Sequence, residues 1–117
     1  MIMPTLDSIR LEQVEITQML VLEPGKARAL KNGQVVTLSA AEVAILLRLY
    51  RAKGHLVLVS HLESAVYEQS GCEDDICEIK YHIRNLRRKF GDNDRSLIYC
   101  RRHLGYGLEV SRVHWVD

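Results

Sequence analysis

The chain has 117 residues, 47% of them hydrophobic and 26% charged, with only two prolines and seven glycines, a balance that suits one compact domain and excludes extensive disorder away from the ends. A second domain of ordinary size does not fit. The net charge of +1 says little as a total, but residues 1–76 hold seven Lys/Arg against ten Asp/Glu and residues 77–102 hold eight against three, which places a cationic surface in the C-terminal half.

Residues 1–13 allow either a short helix capped by Asp7 or a loose arm. Residues 14–38 read as a small antiparallel sheet, with apolar alternation at Val14/Ile16 and Leu20/Leu22 and two further runs, Ala27–Lys31 and Gln34–Leu38. Pro24-Gly25 marks a turn, and Asn32-Gly33 is a hairpin signal because both central residues of a type I′ turn need positive φ. A helix is predicted from Ser39, where Ser39 and Glu42 have capping-box spacing and Val43, Leu46, Leu47 and Tyr50 follow at helical intervals. Arg51 and Lys53 fall in its last turn, and Gly54 stops it. A second capping box, Ser60 with Glu63, predicts a short helix to about Tyr67 with Leu62 and Val66 turned inward. Ser70-Gly71 breaks it, and Glu73, Asp74 and Asp75 then stand where the next helix's N-terminus favours negative charge.

That next helix, read as Ile76 to Phe90, is the most informative stretch. At about 100° per residue, Ile76, Ile79, Ile83, Leu86 and Phe90 form one narrow apolar stripe. Cys77, Tyr81, Arg84, Asn85 and Arg88 lie opposite, flanked by Lys80 and Arg87 on one side and by His82 and Lys89 on the other. After Gly91, alternation from Leu97 to Val110 is broken at His103-Leu104-Gly105, predicting a second hairpin over 98–110. The order of sheet, three helices and hairpin is the ground plan of an α+β winged helix-turn-helix.

Five stretches carry a more specific resemblance: Leu22 to Pro24, Leu38 to Glu42, Val59 to Glu63, Tyr81 to Lys89, and Arg101 to Tyr106. In this order and at these separations, residues 14–110 resemble the C-terminal DNA-binding domain of the OmpR/PhoB family of bacterial transcription regulators. The resemblance implies that the third helix enters the DNA major groove, that helix 2 and the sheet meet the backbone, and that the hairpin is a wing reaching the adjacent minor groove. Carried over by position, His82 and Tyr67 match phosphate contacts, Arg84, Asn85 and Arg87 match the recognition surface, and Arg102 matches the wing arginine. The combined reading assigns base contacts to Lys80, Tyr81, Arg84, Asn85 and Arg88. Phosphate or wing contacts go to Ser60, His61, Tyr67, His82, Arg87, Arg101 and Arg102. A bidentate Arg84–guanine contact is worth roughly 1–3 kcal/mol of base discrimination, and Asn85 can read adenine in the same way.

Departures from the family bear on specificity and control. Cys77 stands near the start of the third helix where a polar or basic residue is usual, and Glu73, Asp74, Asp75 and Glu78 make that end acidic. His103 replaces the first wing glycine, and Gly107 stands where an arginine is usual. Only about 13 residues precede the match, so a complete chain is expected to lack a phosphorylated receiver domain and to act as a stand-alone, phage or mobile-element regulator.

The remaining features favour bland readings. Four residues lie between Cys72 and Cys77 and no second pair follows, so no metal or other cofactor is expected. A redox role remains open for Cys77, which an N-terminal helix position would activate. Trp115, in the tail 111–117, either anchors a partner subunit or folds back on the sheet, and Tyr81 either touches a base or packs on its neighbour. No catalytic grouping or phosphate loop is present, so neither an enzyme nor a small-molecule substrate is expected. The first residues lack a signal peptide, three cysteines suit a reducing compartment, and the apolar run Val43–Leu47 is far too short to span a membrane, which together predict a cytoplasmic protein. The expected partner is double-stranded DNA, bound as a homodimer on direct repeats, with RNA polymerase or another regulator as further candidates. A winged-helix adaptor or anti-activator, binding protein rather than DNA, is the competing reading.

Overall fold

The computed structural model describes residues 20–70 and 78–116. Strand β1 (Leu20–Glu23) buries Leu20 and Leu22 and pairs antiparallel with β2 (Arg28–Lys31), which pairs in turn with β3 (Gln34–Thr37). The β2–β3 turn is made as its residues dictate, with positive φ at both Asn32 (52°) and Gly33 (82°). A single 3-10 turn at Pro24–Lys26 links β1 to β2. Val14 and Ile16, expected in this sheet, lie outside the described residues, as do residues 1–13.

Helix α1 (Ala40–Arg51) opens with the predicted capping box: Glu42 N donates to Ser39 Oγ at 3.1 Å, and Ser39 N donates to Glu42 Oε1 at 2.8 Å. Its buried side is turned from the expected one. Ile45 and Leu49 are fully buried beside Leu46, whereas Val43, Leu47 and Tyr50 are half-buried, because α1 packs against both other helices as well as the C-terminal hairpin.

Two helix starts differ from expectation. Helix α2 spans Val59–Ser70, so Ser60 sits inside its first turn, where its carbonyl accepts from Ser64 Oγ, and is not the cap. The residues that open it are Val57-Leu58, an unforeseen strand, β4, whose partner lies far along the chain. Leu62 and Val66 are fully buried, as predicted. Helix α3 spans Ile79–Phe90 and starts three residues later than its apolar stripe suggests, because Glu78 is an N-cap with extended backbone (φ −67°, ψ 116°). Ile76 and Cys77 lie outside the described residues. Gly91, at φ 69°, closes α3 in the left-handed conformation that glycine adopts at least cost.

Strands β5 (Ile98–Arg101) and β6 (Gly105–Leu108) form the predicted hairpin, and β4 joins β6 to make a three-stranded sheet of order β4-β6-β5. The β4–β6 approach requires glycine at position 105, since a Cβ there would collide with the Val57 carbonyl. Residues beyond 110 are part of the fold. Strand β7 (Val113–Trp115) runs parallel to β1, Leu20 opposite Val113 and Leu22 opposite Trp115, completing a four-stranded sheet of order β3-β2-β1-β7. Trp115 folds back onto the domain and stacks on Tyr50, ring centroids 4.3 Å apart. Leu22, Ile45, Leu49, Leu62, Leu86 and Leu108 centre one core shared by sheets and helices. Among the described residues, no helix is long and apolar enough to cross a membrane.

Candidate nucleic-acid interface

Helix α3 divides into two faces. Ile79, Ile83, Leu86 and Phe90 are buried, whereas Lys80, Tyr81, Arg84 and Arg88 are exposed and Asn85 is half-buried. No acid occurs between Ile79 and Phe90, so the outward face carries only cationic, aromatic and amide groups. Arg88 Nη2 donates to Asn85 Oδ1 at 2.8 Å. This couples the two outward side chains across one helical turn and occupies the amide oxygen that a bidentate adenine contact would use. Tyr81 is 49% exposed, and its ring meets His82 edge-on at 5.4 Å.

Of the flanking side chains of α3, His82, Arg87 and Lys89 are turned into the protein, whereas Lys80 is not. His82 is buried, although its matched position implies a phosphate contact. Arg87 donates from Nε (3.1 Å) and Nη2 (2.6 Å) to the Ile98 carbonyl, with its guanidinium 5.9 Å from the Tyr106 ring centroid. Its fork therefore ties α3 to the first residue of the hairpin. Lys89 Nζ donates to Glu42 Oε1 and to the Thr37 carbonyl, tying the same helix to α1 and β3.

The hairpin turn spans Arg101–Leu104, closed by Leu104 N donating to Arg101 O at 3.0 Å. His103 takes the left-handed conformation at φ 66°, so the wing geometry that favours glycine is kept although the residue is not glycine. Arg101, Arg102 and His103 are all exposed at this tip. Across a cleft of about 540 Å³ they face Lys80 from α3 and Ser60 from the first turn of α2, with exposed Cys100 on the same wall. His61 and Tyr67 are also exposed on α2, but His61 points to a different cleft, shared with Arg48 and Arg51.

Two further anchors hold the hairpin at this height. Asp92 is buried just after the helix stop, and its Oδ1 and Oδ2 accept from Leu97 N (3.0 Å) and Ile98 N (2.8 Å). Tyr99 OH donates to the Gly54 carbonyl, and its ring lies over Gly107, where any Cβ would strike it. This explains the missing arginine at position 107: the space belongs to Tyr99. Burial pushes the Tyr106 phenol above its ordinary pKa, Cys100 acts in the same direction, and Arg87 and Arg95 oppose them. Sequence reasoning missed Asp92, Glu42 and Tyr99 as site supports; the only local sign of Asp92 is its place behind a helix-stopping glycine.

Residues 33–108 match the family described as transcriptional regulatory protein, C terminal. The chain is 33% identical over 90 residues to the response regulator protein PmrA of Pseudomonas aeruginosa, covering 77% of this chain and 39% of PmrA. It is 34% identical over 92 residues to the transcriptional activator protein IrlR of Burkholderia pseudomallei, covering 78% of this chain and 40% of IrlR. The chain thus spans about two fifths of the length of these relatives. Its fold is that of the DNA-binding domain of E. coli CadC (TM-score 0.58, 23% identity, 73% of this chain and 80% of that one). The C-terminal domain of the nisin resistance regulator NsrR is similar to the same degree (TM-score 0.58, 23% identity, 71% and 84%).

Proposed function

The chain belongs to the family of transcriptional regulatory protein C-terminal domains, DNA-binding modules of transcription regulators, and from that premise we propose that it binds double-stranded DNA sequence-specifically, with α3 in the major groove and the β5–β6 hairpin as wing. The observation that carries this reading is the outward face of α3, on which Lys80, Tyr81, Arg84, Asn85 and Arg88 stand together with no acid among them. A helix fits the major groove, and guanidinium and amide groups match base edges there. Arg101 and Arg102 at the wing tip and Ser60 and Tyr67 on α2 fix register on phosphates. The protein works in the cytoplasm as a head-to-tail pair on direct repeats, and RNA polymerase or a second regulator is the partner it addresses once bound.

Selection of binding sites from a random duplex pool, followed by footprinting, tests this. Arg84→Ala is expected to lose affinity mainly for the selected site, by about 1–3 kcal/mol, and Arg102→Ala to weaken all DNA alike. Equal losses on selected and random DNA for Arg84→Ala would contradict the assigned roles.

A further inference from the structure

The cationic surface does not end at α3 and the wing. Arg48 and Arg51 lie three residues apart on one face of α1, both exposed, and His61 comes from α2 to line the same cleft, with Leu56 as its apolar wall. Among the described residues no acidic side chain lines this cleft, and neither guanidinium makes a side-chain hydrogen bond or ion pair. The dipole of α1 accounts for basic residues in its last turn. It does not account for a histidine delivered from a second helix, nor for two like charges left uncompensated side by side.

We infer that Arg48, Arg51 and His61 form a second phosphate-binding surface, which extends the DNA contact past the α2 first turn to the α1–α2 junction. This rests on the DNA-binding reading above. Continuity with that interface argues for nucleic acid over an acidic protein. Ser60 lines the wing cleft with Lys80 and Arg102, and its chain neighbour His61 lines the α1 cleft, so one helical turn joins two cationic grooves. A backbone crossing the N-terminal turn of α2, where the helix dipole also favours anions, meets both. The ligand is the phosphodiester backbone, so the surface adds affinity and register without reading sequence.

Salt titration of binding to a random 30-base-pair duplex, followed by anisotropy, measures the number of phosphates engaged. Arg48→Ala with Arg51→Ala is expected to leave the melting temperature near that of the parent and to make the slope of log affinity against log salt shallower by about 2. Arg48→Lys with Arg51→Lys is expected to keep the parental slope. Lys26→Ala, which removes one exposed charge from the β1–β2 turn, controls for net charge and is expected to change nothing. An unchanged slope in the double alanine variant, with the parent still bound, would overturn the inference alone and leave an acidic protein as the partner of this patch. Absence of salt-sensitive binding by the parent at low salt would overturn the DNA-binding reading and this surface with it.

Discussion

The ammonium of Lys89, in the last turn of α3, lies 2.6 Å from Oε1 of Glu42, the same oxygen that receives the Ser39 N–H at the start of α1. One buried carboxylate atom therefore serves both as a helix cap and as the counter-ion that fixes the angle of α3 against α1. Glu42 is 3% exposed and Lys89 32% in their side chains, so this pair is neither a fully screened surface bridge nor a sealed one.

Glu42→Ala should be among the most damaging single changes away from the apolar core. It deletes a cap and leaves a half-buried ammonium without its carboxylate, for an expected loss of about 2–4 kcal/mol by urea unfolding. Glu42→Gln keeps the amide-accepting oxygen and should lose less. Equal losses for the two variants would show that charge plays no part in the link.

Asp92 accepts from two consecutive backbone N–H groups in a buried position. Asp92→Ala strands both donors, and a loss of about 2–4 kcal/mol is expected. Hydrogen exchange at Leu97 and Ile98 should accelerate more than exchange in α1. Asp92→Asn retains one acceptor and should fall between.

Arg87 separates the cations spent inside the fold from those proposed to meet DNA. Because its fork is spent on the Ile98 carbonyl, Arg87→Ala should destabilise the domain by about 1.5–3 kcal/mol, the range for hydrogen bonds to charged groups. It should also leave the salt slope of non-specific DNA binding near the parental value. Arg102→Ala should do the reverse, flattening that slope by about 1 with little change in stability. A flattened slope for Arg87→Ala in the folded protein would return that residue to the phosphate contacts.

Tyr106 supplies a pH dependence. Its phenol is raised above the ordinary value of 10.0, chiefly by burial. A group whose pKa is higher folded than unfolded stabilises the fold fully below the unfolded value and ceases to do so as pH climbs through the folded one. Stability should therefore decline above about pH 10, and Tyr106→Phe should decline less over the same interval when the two are compared by thermal melting.

What could be read in the sequence was local. The Asn32-Gly33 turn and the Ser39–Glu42 box each depend on residues a few positions apart, and each forms as written. Ser60 and Glu63 have the same box spacing, yet α2 starts at Val59, because Val57-Leu58 is held by β6, about fifty residues away. The outward face of α3 was legible from periodicity alone. Which flanking cations are spent internally was not, since the partners of Arg87 and Lys89 come from β5, β3 and α1.

Strand β7 has a bearing on how the molecule is made. Parallel pairing sets Val113 beside Leu20, so nearly all of the described chain must be synthesised before β1 gains its second neighbour. During vectorial synthesis the helices and hairpin can assemble first, while that sheet edge stays open for pairing with another nascent chain. Closure by β7 is then the last topological step, and it seats Trp115 on Tyr50. Shortening the chain after Val110 would leave that edge permanently unsealed.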